Sequence, residues 1–213
     1  MQTVTLATGE TLIFYEVEHL YLIDGKPCPG THSLMERHGI VKPLDQWGAP
    51  YADRGKRVDF YTQAWDEDDL DREDVDSSER GYLDAWIQFK ADSKVGIAVG
   101  GAIQLLVGSA QLWYATTIDR IARVDSALTV LNIKTGNHYK SHPIQSHLEG
   151  LLYQDAERVQ MVYLAPDGSY DLQDYTDDDA ARKTATAIAQ ANGMAHSYMA
   201  RRKSRKEAAI EQP

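Results

Sequence analysis

The stretch of this chain best suited to chemistry is YATTIDRIARVDSALTVLNIKTG, residues 114–136. Its apolar and β-branched runs predict strands near 111–124 and 127–134, with LTVLNIK apolar enough to lie centrally in a sheet. Asp119 falls on the first strand and Asn132-Ile133-Lys134 on the second. Side chains alternate across a strand, so Asn132 and Lys134 project from one face. A carboxylate beside a strand-borne lysine at a hairpin is how metal-dependent phosphodiesterases hold a divalent ion, orient water and balance phosphorane charge. A helix predicted from about Pro143 to Asp155 follows, with Glu149 and Tyr153 four residues apart and therefore on one face.

Other elements must position this group. LIFYEVEHLYLIDGKPCPG predicts a strand pair turning at Asp24-Gly25, then a short helix through Ser33–Arg37. Gly48, Pro50 and Gly55 are expected to break any helix over 45–65, leaving Arg54–Trp65. After an acidic loop, Tyr82, Leu83, Trp86 and Phe89 recur at helical spacing in Ser77–Lys90, with Ser77 or Ser78 as the cap. A third strand is expected over 95–107. RVQMVYLA and SYDLQDY flank the turn signal Pro166-Asp167-Gly168, and Thr176 is the expected cap of a long final helix. Trp65, Trp86 and Trp113 read as core.

The 213 residues suit one compact domain, expected over 1–200, with a frayed basic tail over 201–213. The fold class is α/β (α+β). With 43% hydrophobic and 25% charged residues the composition is that of a folded globule, not a disordered chain. No apolar run reaches the ~18 residues of a membrane helix, and no basic start precedes an apolar run, so an intracellular protein is expected. Cys28 is the sole cysteine, which excludes an intramolecular disulfide, a Cys-rich zinc site and an iron–sulfur cluster held by this chain alone. His138, His142 and His147 suit no single helix face and make a poor zinc set. The net charge of −10 is concentrated in two segments: nine acids against one arginine between Asp66 and Glu79, and Asp171, Asp174, Asp177, Asp178 and Asp179. The remainder is slightly basic and able to meet a polyanion.

Over about residues 12–190 the chain resembles the PD-(D/E)XK nuclease superfamily, specifically small phage and prophage exonuclease-like proteins of the RecB type. The likeness rests on Gly55-Lys56-Arg57-Val58-Asp59, Gln104, Tyr114-Ala115-Thr116-Thr117-Ile118-Asp119, Asn132-Ile133-Lys134-Thr135-Gly136 and Glu149-Gly150-Leu151-Leu152-Tyr153, in that order. It implies a restriction-endonuclease-like core, a central mixed sheet flanked by helices behind an N-terminal β-hairpin. It also implies a Mg- or Mn-dependent DNA exonuclease in the cytoplasm of a bacterial host, encoded by phage or prophage and working beside a single-strand annealing protein. The implied catalytic group is Asp119, Lys134, Asn132, Glu149 and Tyr153; the implied metal ligands are Asp119, Glu149, Asp59, Gln104 and Ile133.

The departures are equally specific. Asp59 stands where the family has histidine, Gln104 where it has glutamate, Thr116 where it has glycine, Asn132 where it has aspartate and Glu149 where it has glutamine. A neutral amide is a poor ligand for hard magnesium, yet two carboxylates are gained as two are lost. Two expectations follow. In one, Asp119, Glu149 and Asp59 form a relocated metal site in an active deoxyribonuclease. In the other, a pseudo-nuclease binds DNA or a partner, or imitates DNA for a host nuclease or defence protein through its acidic segments.

Overall fold

The computed structural model describes residues 1–42, 49–97 and 103–210. The fold is mixed α+β, built on two sheets. The first is an antiparallel meander of β1 (Gln2–Thr5), β2 (Thr11–Tyr15), β3 (Leu20–Ile23) and β4 (Lys26–Cys28). The expected turn is there: Asp24 and Gly25 both take positive φ, at 48° and 71°, which matches the twist of a two-residue hairpin. The segment expected as a strand pair holds three strands, β2, β3 and β4, because a second turn closes within it from the His19 N–H to the Glu16 carbonyl.

The second sheet runs β10-β9-β8-β7, with β5 and β6 both on the outer edge of β7. These are β5 (Gly96–Ile97), β6 (Ile103–Ser109), β7 (Tyr114–Val124), β8 (Ala127–Lys134), β9 (Arg158–Leu164) and β10 (Tyr170–Asp174). The strand expected over 95–107 therefore appears as two pieces, and residues 98–102 lie outside the described residues. All pairings are antiparallel except β8 with β9, which are joined through helix α4 (His142–Leu152) as a crossover. The turn from Pro166 to Gly168 links β9 to β10 as expected, with Gly168 at φ 86°.

Helices cover both faces. Trp86 and Phe89 of α3 (Arg80–Asp92) pack on Ala122, Val124, Leu131, Ile133, Val162 and Leu164. On the other side Leu34 and Met35 of α1 (Thr31–Arg37), Leu148 of α4, and Ala185, Ile188 and Ala189 of α5 (Asp179–Ile210) enclose Tyr114. The meander sits on the end of the large sheet through Leu12, Phe14, Tyr21 and Ile23 against Leu106 and Ala115.

Several expected boundaries move for local reasons. Helix α2 (Ala49–Asp66) runs through Pro50 and Gly55. Pro50 falls in the first turn, where a missing N–H costs nothing; Gly48 lies outside the described residues. Neither Ser77 nor Ser78 caps α3; Asp76 closes the preceding turn by accepting from the Ser78 N–H and hydroxyl. Thr176 is likewise taken by the Val159 N–H, and Asp178 accepts from the Ala181 N–H at the start of α5. Trp113, expected as core, is only partly buried and stacks on His196 of α5 with ring centroids 3.5 Å apart. The basic residues expected as a frayed tail continue α5 as far as Ile210.

Candidate functional site

Strand register builds the site. β7 pairs β8 with Arg120 opposite Leu131, and β6 pairs β7 through Ile103–Arg120 and Leu105–Ile118. Gln104, Asp119 and Asn132 therefore form one row across three strands. A helix residue closes each end. The Gln104 side-chain amide donates to both carboxylate oxygens of Asp59 on α2, at 2.9 Å each. At the other end the Asn132 amide donates to Glu149 Oε2 on α4 at 2.6 Å. Asp119 between them accepts the Ile133 backbone N–H at 2.9 Å. The order is acid, amide, acid, amide, acid.

This row needs local strain and deep burial. Gln104 adopts φ 51° inside a strand, a left-handed conformation unusual for a side chain with a Cβ. Asn132 and Glu149 are each 1% exposed. Gln145, one turn before Glu149 on α4, donates to its Oε1 at 3.0 Å and completes its partners. Sequence reasoning missed Gln145, although its i, i+4 spacing to Glu149 was a usable signal.

The buried acids repel one another. Burial, then the Asp119 charge, pushes the Asp59 carboxyl up to about 7; Arg120, Lys134 and the Gln104 hydrogen bond work the other way. Burial, then Asp119, likewise pushes Glu149 up to about 7, against the pull of Gln145, Lys134 and Asn132. The ordinary values are 3.8 and 4.5, so between about pH 4 and 7 the folded chain keeps protons that the unfolded chain releases. These two groups therefore make stability fall as pH rises through that window and level off above it. Urea unfolding from pH 4.5 to 8 should show a shallower decline in Glu149→Gln than in the native chain; an unchanged slope would mean that Glu149 is already ionised at pH 4.5.

Behind the row lies a second network that sequence reasoning missed. Arg120 is fully buried on β7. Its Nε donates to Asp66 Oδ2 at 2.8 Å, its Nη1 to the Asp119 carbonyl at 2.6 Å and its Nη2 to Thr62 Oγ1 at 3.2 Å. Asp66 also accepts from Trp86 Nε1 at 3.1 Å and pairs with Lys90. The guanidinium thus ties Asp119 and α2 together, next to Asp59. The only signal in the sequence was an arginine at alternate spacing with the apolar Ile118, Ala122 and Val124, a residue almost never buried without partners.

Not every expected residue arrives. Helix α4 ends at Leu152, so Tyr153 leaves the helical face of Glu149 and packs with Ile118, Ile121, Val130 and Val159. Ile133 turns its side chain into the α3 core and contributes to the site only the N–H held by Asp119. Two of the three histidines meet at Tyr163 and the third lies apart. His138 stacks on Tyr163 and reaches Asp171 at 3.1 Å, and His142 meets the Tyr163 hydroxyl at 2.6 Å. Burial, then Lys134 and His138, pushes His142 down to about 4. His147 is buried on α4.

The donor set does not suit a divalent ion. Among the described residues no three His, Cys, Asp or Glu side chains come together as a ligand group, so the expected trio of Asp119, Glu149 and Asp59 is not assembled. The chemistry explains this: both outer acids are engaged by amides, Asp119 holds a backbone N–H, and the remaining members of the row are amides, poor ligands for magnesium. Charges of both signs lie next to the row, since Glu36 raises the His32 imidazole while Lys134 lowers it. Lys134 is half-buried at the end of β8, and its charge reaches His32 on α1 and His142. His32 in turn senses His19, at the β2–β3 turn, which senses Lys56 on α2. Burial is the leading influence on both His19 and His32, holding each below its ordinary value.

The acidic run is partly spent inside the fold. Asp66 serves Arg120, Glu79 is buried and accepts from Arg57 at 2.6 Å, and Asp76 closes a turn. Comparison with models of known protein families gave no match, and comparison with curated proteins gave none either.

Proposed function

We propose that this chain is a nuclease-fold protein that binds DNA without hydrolysing it. The observation that carries this reading is the alternating row from Asp59 to Glu149, in which amides engage the carboxylates a metal ion would need. Asp119 and Lys134 lie on the paired strands β7 and β8, which supports the PD-(D/E)XK reading, and the ammonium groups of Lys56 and Lys134, with the neutral imidazoles of His19 and His32 near them, favour phosphates at this end of the sheet. The acidic run is less available for imitating DNA because Asp66, Asp76 and Glu79 serve the fold. A single-strand annealing protein remains the protein partner that the resemblance suggests.

Incubation with linear single- and double-stranded DNA and either magnesium or manganese at pH 7.5 should leave the DNA intact. Anisotropy should report salt-dependent binding, and Lys134→Ala should lower the salt slope by about one. Cleavage that disappears in both Asp119→Ala and Lys134→Ala would overturn this reading. It would establish the second, a slow metal-dependent deoxyribonuclease. One observation favours that alternative: the Asp59 and Glu149 carboxyls are pushed up only to about 7, so above that pH the two outer acids of the row lose their protons.

A further inference from the structure

We propose that Phe60 and Tyr139, with Lys56, Lys134 and Lys140, form a platform on which single-stranded DNA stacks its bases. The inference rests on the DNA-binding reading and specifies the form of DNA bound. Among the described residues the large exposed apolar side chains include three aromatic ones: Phe60, 63% exposed, Tyr139, 43% exposed, and Tyr198. The first two sit on the elements that frame the site. Phe60 follows Asp59 on α2, and Tyr139 lies on the connection from Lys134 to α4.

Each ring has a cation beside it. Lys56 is exposed one helical turn before Phe60, on the same face of α2. Lys140 is exposed next to Tyr139, whose ring meets His142 edge-on at 5.3 Å. Lys134 ends β8, five residues before Tyr139. The two mounts are also fastened to each other, since Arg54 Nη2 of α2 donates to the Thr135 carbonyl at 2.7 Å. Phe60 is thus carried on a helix, and Tyr139 on a connection tied to that helix at Thr135.

Ring chemistry selects the single strand. Phe60 has no polar atom with which to hold a phosphate or read a groove edge; its available interaction is with the flat face of a base. Duplex bases have both faces covered by their neighbours, whereas an unpaired base offers one to an aromatic ring, and alternating rings and cations suit a flexible strand irrespective of sequence. Neither ring belongs to the hydrophobic core, so removing one leaves the fold in place.

The test is fluorescence anisotropy of the full chain with a labelled oligothymidylate and with a blunt duplex of equal length. Phe60→Ala and Tyr139→Ala should each weaken single-strand binding about tenfold, with duplex binding unchanged and unfolding midpoints within experimental spread. Phe60→Trp and Tyr139→Trp should retain native affinity, and Lys56→Gln and Lys140→Gln should each lower the single-strand salt slope by about 0.7. Native-like single-strand affinity in both alanine variants, or an equal loss for the duplex, overturns the platform while leaving the DNA-binding reading intact. Failure of the native protein to bind either oligonucleotide overturns both, and a protein partner then becomes the reading of this face.

Discussion

Arg120→Met should lower the free energy of unfolding by about 3–5 kcal/mol, the usual consequence of removing one member of a buried ion pair. The side chain is fully buried and bonds Asp66, Thr62 and the Asp119 carbonyl. Without it, Asp66 keeps Lys90 and the Trp86 N–H but loses its deepest partner. Methionine is close in volume, so little of the loss comes from a cavity. Arg120→Met combined with Asp66→Leu should recover only part of the stability, because it removes the buried Arg120–Asp66 pair but leaves Lys90, 23% exposed, and the Trp86 N–H without their acceptor. Urea denaturation of the native chain, both single variants and the double variant gives the coupling directly. A loss below about 1 kcal/mol in Arg120→Met would show that water enters this site and that Arg120 does not hold α2 against β7.

Asn132→Asp should be the second severe change. It puts a carboxylate where an amide now donates to Glu149 at 2.6 Å, in a pair of residues each 1% exposed. Above pH 7 the donor is lost and like charges oppose one another, at a cost of about 3 kcal/mol. At pH 5 a shared proton between the two acids should return much of this, as for other close carboxyl pairs. The reciprocal variant Asn132→Asp with Glu149→Gln restores an amide facing a carboxylate and should come within about 1 kcal/mol of the native chain at pH 8.

The reciprocal variant also bears on metal. The sequence departures suggest that restoring an acid at position 132 by itself creates a better ligand set. The geometry argues against this expectation, because Glu149 would lose the amide it now accepts from. With both positions exchanged, Asp119 gains a neighbouring carboxylate at position 132 that no second buried acid opposes, and manganese affinity by calorimetry should rise well above that of either single variant. Equal affinities in all four proteins would mean that Glu149 does not control the site.

The catalytic-looking strands were legible because their signals are local. Asp119, Asn132 and Lys134 could be placed from β-branched runs and a period of two, and a helix carrying Glu149 from periodicity and length. The limits of the elements were less legible. Pro50 and Gly55 are breakers by propensity, yet α2 continues through them because Pro50 occupies its first turn. Tyr153 follows the same logic in reverse: its spacing from Glu149 is helical, but the helix stops one residue before it.

The amino-acid sequence by itself determined the kinds of element and their order, since propensity, alternation and turn chemistry act over a few residues, and it suggested departures from the nuclease pattern it resembles. Only the tertiary structure decided what those departures do. Gln104 lies 45 residues from Asp59 and Asn132 lies 17 from Glu149. Nothing local announces that each amide faces an acid gained elsewhere. Strand register sets the row, the crossover through α4 and the Arg120 tether of α2 bring an acid to each end, and burial turns two ordinary carboxyls into groups that titrate at about 7. Hydrogen bonding and desolvation act through space between elements far apart in the chain, so their outcome is settled only when those elements pack.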